Sequence, residues 1–168
     1  EQLQRILNQI GLPDFDIQEN VLKAWDQRTK PPGSLGRLER LVAQIAGING
    51  QIKRSLERQA IIVMCGDHGV VREGVSAYPQ NVTQLMMDNF VIRQGAAINV
   101  LARLTGAALY VVDVGTYADH LPEGVIQRKV RKSTGNIAVE AAMSREEAVA
   151  AILQGVATVD DINKTGVD

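Results

Sequence analysis

Apolar and polar positions along the chain change period several times, and each change predicts an element. Residues 1–12 place Leu3, Ile6, Leu7 and Ile10 at helical spacing, with Gly11 and Pro13 to end the helix. Residues 16–29 repeat that period with Ile17, Val21, Leu22 and Trp25; the tryptophan is a large ring suited to a core or a partner surface. Pro31 and Pro32 forbid further helix. The period resumes over residues 37–48 with Leu38, Leu41, Val42 and Ile45 on one face, and Ser34 is placed to cap that helix. The polar stretch 50–59 reads as its completion.

From Ala60 the grammar changes. Residues 60–64, AIIVM, form a short apolar run rich in β-branched side chains, which suits a strand buried on both faces of a parallel sheet. A long polar, glycine-bearing loop follows to Pro79. Residues 81–104 read as one helix, its apolar face made by Val82, Leu85, Met86, Phe90, Ala97, Val100, Leu101 and Leu104, with Gly106 to stop it. A second apolar run, 107–112, ends in Asp113-Val114-Gly115-Thr116, so strand, loop, helix and strand make a βαβ unit with a right-handed crossover. A short third strand is predicted at 125–130. Ser144 with Glu147 forms a capping box for a last helix over 145–158 or a few residues more. In this grammar a further strand follows the turn at 164–167. The expected organisation is a helical segment, 1–58, and an α/β region, 59–168.

Composition adds exclusions. Apolar residues make up 45% and charged residues 22% of the 168, the profile of a soluble globular chain with a real core. A formal net charge of −1 gives no electrostatic reason to expect nucleic acid or an anionic membrane surface. No apolar run approaches the ~20 residues of a membrane span, and the amphipathic, acid-bearing N-terminus is not a secretory signal. The single cysteine, Cys65, forms no internal disulfide, which points to a reducing cytoplasm. Two histidines and one cysteine offer no zinc-finger spacing, and no metal site is expected.

Candidate chemistry gathers after the first strand, because ligands of open α/β sheets collect outside the carboxyl ends of the strands. Asp67 and His68 have two readings: Asp67 caps loop backbone and His68 is structural, or one of them faces a ligand. Cys65 reads as a small buried residue rather than a nucleophile. Ser76, Tyr78 and Gln84 combine a flat ring with two hydrogen-bonding groups, and Met86 and Met87 offer an adaptable wall, a set suited to a planar, weakly polar ligand. Asp113 and the cluster Arg128, Lys129, Arg131 and Lys132 either meet a sugar or phosphate or form a solvated charged face. Residues 30–36 are a turn between helices or an anion site before a helix start, without the order of a P-loop.

Three segments together carry a resemblance: residues 29–39 (TKPPGSLGRLE), residues 66–70 running on to 74–79 (GDHGV and GVSAYP), and residues 112–115 (VDVG). Residues 135–138 ahead of 142–144 fit as well. In this order they resemble the amino-terminal half of the nicotinate-nucleotide–dimethylbenzimidazole phosphoribosyltransferases of the cobalamin pathway, over essentially the whole chain.

The resemblance implies a parallel Rossmann-like sheet flanked by helices, with an N-terminal helical subdomain, incomplete relative to the family. It implies transfer of phosphoribosyl from nicotinate mononucleotide to 5,6-dimethylbenzimidazole by a cytoplasmic homodimer that needs no cofactor or metal. It carries base binding to Ser76, Tyr78, Gln84 and, in the methionine wall, Met87, while Asp67, His68 and Asp113 are candidates for loop support on their own chemistry. The general-base glutamate, the glutamate-glycine and asparagine-threonine-threonine segment and the phosphate-binding glycine loops are expected past Asp168. No catalytic residue is therefore assigned within the chain, which is expected to be a fragment, a proteolysed product or a split subunit without turnover of its own. The alternatives are a non-catalytic module that binds an aromatic base, a nucleotide or an assembly partner, and an unrelated α/β sugar-binding domain.

Overall fold

The computed structural model describes residues 1–52 and 56–167 and divides into two compact units, Glu1–Leu56 and Glu57–Asp168. The first unit holds α1 (Gln2–Gln9), α2 (Phe15–Asp26) and α3 (Arg37–Asn49). Asp14 caps α2 by accepting the Ile17 N–H at 2.9 Å. The helices α2 and α3 meet through Val21, Ala43 and Ala46, with Ile17 and Trp25 packed against them, so Trp25 serves the core of this unit.

The face of α3 that is buried is not the one its large residues predict. Leu38, Leu41 and Val42 are exposed, and Ala43, Ala46 and Gly47 face α2. The cause is close approach: a Cβ on Gly47 would sit 2.6 Å from the Gln18 side chain and 2.7 Å from Asp14 O. Small residues therefore mark the contact. Ser34 does not cap α3; the N-cap is Gly36, and the Ser34 N–H donates to Pro31 O at 3.1 Å. Nor does α3 run on through 50–59, because Gly50 takes a left-handed φ of 67° and ends it. Residues 53–55 of that stretch lie outside the described residues.

The second unit is a parallel sheet in the order β1 (Ala60–Gly66), β2 (Ala108–Gly115), β3 (Val125–Gln127), flanked by helices. Both central runs form strands as their β-branched composition requires. β2 is the middle strand, and Val111, Val112 and Asp113 on it are buried. A core of Cys65, Met87 and Val111 lies beneath Val63, Phe90, Leu109 and Leu121. β1 and β2 pair in step from Ala60 with Ala108 to Cys65 with Asp113, then slip by one residue so that Gly66 faces Gly115. β3 is shorter than expected, although the Arg128 N–H still reaches Asp113 O at 2.8 Å.

The helix expected over 81–104 is broken. It comprises α4 (Val82–Asp88), a π-helical turn (Asn89–Arg93) and α5 (Ala97–Thr105). Gln94 between them is left-handed, with φ of 52°. Two asparagines hold the break: Asn89 Oδ1 accepts the Gly95 N–H at 3.3 Å, and Asn99 Nδ2 donates to Phe90 O at 2.8 Å. The apolar face shifts accordingly, so Leu85, Leu101 and Leu104 are exposed while Met87 and Ala102 are buried. The last helix, α6 (Arg145–Asn163), starts with the expected capping box and runs past 158. Among the described residues no helix is long and apolar enough to cross a membrane.

Candidate functional site

The loops at the carboxyl ends of β1 and β2 are fastened by two buried carboxylates. Asp67 Oδ1 accepts the Thr83 hydroxyl at 2.5 Å, and its Oδ2 accepts the Tyr117 N–H at 2.7 Å. The Asp67 backbone also bonds outward, its N–H to Gly115 O and its carbonyl from the Thr134 N–H. One residue thus ties the end of β1 to α4, to the loop after β2 and to the loop after β3. Asp113 does the same for β2: its Oδ1 accepts the N–H groups of Gly115 and Thr116 at 3.0 and 2.8 Å. Lys129 Nζ lies 3.1 Å from the other oxygen, off the hydrogen-bond direction, and donates to Ala118 O.

Residues 133–136 lie across this floor. The Gly69 N–H donates to Thr134 Oγ1 at 3.2 Å, and Asn136 Nδ2 donates to Glu73 Oε1 at 2.5 Å. Gly69 is pressed so closely that a Cβ there would meet Thr134 O at 2.5 Å and Gly135 C at 2.7 Å.

Above the floor is an open hollow of about 260 Å³. Val70, Val71, Val75 and Val82 give it apolar walls, Tyr78 stands at its rim and Pro79 follows. Ser76 and Gln80 also line it. The Ser76 hydroxyl is engaged locally: Oγ donates to Tyr78 O at 2.9 Å and accepts the Tyr78 N–H at 3.2 Å. Gln80 Nε2 donates to Ser133 Oγ at 3.1 Å. His68 lines the hollow and is exposed. Apolar walls, one ring and a few polar groups make a container for a small flat molecule.

Cys65 stands behind this loop in the core. Burial, helped by the charges of Asp113 and Asp67, pushes its thiol up to about 11. It remains a neutral thiol near neutral pH and is no nucleophile. Each cation of the basic cluster has a carboxylate partner: Arg128 with Asp161, Lys129 with Asp113, Arg131 with Glu147 and Lys132 with Asp119. Among the described residues no three of His, Cys, Asp or Glu converge on a possible metal position.

Comparison with known proteins decides the family. A model of a family described as phosphoribosyltransferase matches residues 10–168. The chain belongs to this phosphoribosyltransferase family. It is 45% identical over 168 residues to the nicotinate-nucleotide–dimethylbenzimidazole phosphoribosyltransferase of Geobacter sp. (strain M21), covering 99% of this chain and 48% of that protein. The protein of the same name from Roseiflexus castenholzii is 52% identical over 164 residues, covering 96% and 46%. The crystal structure of CobT from Thermus thermophilus superposes with a TM-score of 0.83 at 44% identity, covering 90% of this chain and 46% of that one. The chain spans about half the length of the curated relatives it matches.

Within this chain the residues singled out from sequence are only partly brought together. Ser76 and Tyr78 line the hollow. Gln84 is exposed on α4, outside the lining, and its Nε2 donates to His120 O at 3.1 Å. Met87 is 0% exposed and belongs to the core with Cys65 and Val111, so it offers no wall; Met86 beside it is the exposed one. The cause is the rotation of α4: Thr83 and Met87, four apart, share the inward face. Asp67 and Asp113 hold backbone, and Asp113 opens on a second hollow with Asp119, His120 and Lys132. Sequence reasoning passed over Thr83, Tyr117, Gln80 and Ser133.

Proposed function

We propose that this chain is the base-holding part of an enzyme that transfers phosphoribosyl from nicotinate mononucleotide to 5,6-dimethylbenzimidazole, giving nicotinate and α-ribazole 5′-phosphate for the lower ligand of cobalamin. The observation that carries the reading is the hollow at the carboxyl end of β1, with Val70, Val71 and Val75 for the faces of a flat base and Ser76 and Tyr78 at its edge. The names of the relatives from Geobacter and Roseiflexus supply the reaction. In this reading the chain binds and orients the azole so that a ring nitrogen faces the anomeric carbon of the second substrate. The nitrogen forms the new C–N bond as the bond to the nicotinate nitrogen breaks, and the azole proton goes to a carboxylate outside these residues. Orientation of this kind lowers a barrier by removing translational and rotational freedom before the reaction. A cytoplasmic homodimer is part of the same proposal and rests on the resemblance.

The full-length protein tests it. Ser76→Ala is expected to raise the apparent KM for the azole several-fold and leave that for nicotinate mononucleotide near its original value. Equal effects on both substrates overturn the assignment.

A second reading, a base-binding module without catalysis, is favoured by one observation. Asp67 is the only carboxylate lining the hollow among the described residues, and both its oxygens are occupied by Thr83 and Tyr117. Neither oxygen is left without a partner in the protein.

A further inference from the structure

The hollow at the carboxyl end of β1 takes part of its wall from α4, which supplies Val82 and Thr83. At 7 residues α4 is too short to hold its own geometry, and its orientation comes from what grips it. Two grips lie on its inward face: Thr83 donates to Asp67 Oδ1, and Met87 is packed in the core with Cys65 and Val111. They are one turn apart on the same face, so they leave the C-terminal end of α4 free to pivot. That end runs straight into the π-helical turn, Asn89–Arg93, with no residue between. Whatever holds the π turn is therefore the third grip.

The turn is held from α5 and from the residues just ahead of it. Asn99 Nδ2 donates to Phe90 O inside the turn at 2.8 Å, Asn89 Oδ1 accepts the Gly95 N–H at 3.3 Å, and Arg103 Nη1 donates to Gln94 O at 3.1 Å. Of these three side chains Asn99 alone is buried, at 5% exposure. Its other half is unusual, because Oδ1 is sealed from solvent and accepts from no donor among the described residues. Buried polar groups are nearly always paired, and an unpaired one lowers stability. Asn99 also borders an open hollow of about 360 Å³ beside Phe90, Leu109 and Val111, where an apolar side chain has both room and company. The advantage of an amide at this position is the bond its nitrogen makes. That bond fixes a π turn, a rare element that occurs mostly at functional sites.

We infer that Asn99 is a positioning residue for the base hollow: through Phe90 and the π turn it fixes the orientation of α4, and with it the wall formed by Val82 and Thr83. It touches no ligand and lies outside the hollow's lining. The inference rests on the base-holding reading and names a residue on which that site depends from a distance.

Steady-state kinetics of the full-length protein test it, with 5,6-dimethylbenzimidazole and nicotinate mononucleotide varied in turn. Asn99→Leu removes the donor and the orphaned oxygen together. It is expected to raise the KM for the azole about fivefold, keep that for nicotinate mononucleotide within about twofold, and leave the melting temperature unchanged. A residue that serves only the fold would lower the melting temperature and move both constants alike. That result overturns the inference, as does an unchanged azole KM. Should Asn99→Leu fail to fold, Asn89→Ala applies the same criteria at the start of the turn, where Gly95 is exposed and its freed N–H can bond water. Asn89→Asp keeps the acceptor for Gly95 and is expected to show the native azole KM; a value as high as that of Asn89→Ala counts against the π turn as the link. If the native protein saturates with the azole and the variants show no split between substrates, the role of Asn99 falls and base holding stands. If the native protein shows no saturable dependence on the azole, both fall together.

Discussion

Gly69 shows how little room a single side chain has at the floor of the hollow. A methyl group there would lie within 3 Å of the backbone of Thr134, Gly135 and Asn136, and none of these can rotate out of the way. Overpacking against backbone costs about 1–3 kcal/mol, so Gly69→Ala is expected to lower the melting temperature by roughly 3–10 °C. It should also weaken base binding, because residues 133–136 lie across the floor of the hollow and Gly69 is packed against them. Retention of both the melting temperature and base affinity would contradict the close packing. The sequence made part of this legible. Cys65 as an inert core residue and Asp67 as an organiser of loop backbone follow from residue chemistry, and Ser76 and Tyr78 follow from their place after a buried strand. Gln80 and Ser133 do not, since they meet only when the loop after β3 folds over the loop after β1. Met87 is misplaced from sequence because nothing local tells which of two adjacent methionines faces inward.

At the scale of elements, legibility followed the strength of the local signal. The β-branched runs gave β1 and β2, and the capping box gave the start of α6, where Ser144 Oγ accepts the Glu147 N–H at 3.2 Å and Glu147 accepts the Ser144 N–H at 2.8 Å. The break between α4 and α5 was hidden because its lock is made of asparagine side chains, which local periodicity does not register. Buried faces of α3 and α5 were hidden because small and polar residues, not leucine, occupy them: Glu39, Ala43, Ala46 and Gly47 on α3, Asn99 and Ala102 on α5. Ser144→Ala is expected to cost about 1 kcal/mol, seen as an earlier midpoint in urea. Glu147 adds a pH signature. The Ser144 N–H, and then Arg131, hold its carboxyl below the usual range. A carboxylate depressed in the folded state stabilises above its unfolded value, ~4.3, and the benefit disappears as pH falls through the folded value. Glu147→Gln should therefore be less stable than the native chain near neutrality, with the gap closing below about pH 4. A gap that persists in acid would remove the charge from the account.

For the molecule as a whole, the proposed place for a base has, among the described residues, one carboxylate in its lining, Asp67, with both oxygens engaged. The 168-residue polypeptide is expected to bind benzimidazole and to form no α-ribazole phosphate from nicotinate mononucleotide, as followed by chromatography of the products. Turnover by this chain alone would require a base among residues assigned here to structure. Its fold class was legible early, since strand, helix and strand in succession leave a parallel sheet as the simple solution.

That same parallel arrangement governs how the second unit comes together in time. β2 must find β1 across a long intervening stretch of chain, and β3 has no edge to join until β2 is in place. Such distant pairings carry a large loop-closure cost before any reward. The sheet is thus expected to form late, after the local helices, and the hollow, built on the ends of β1 and β2, is expected to appear only with it.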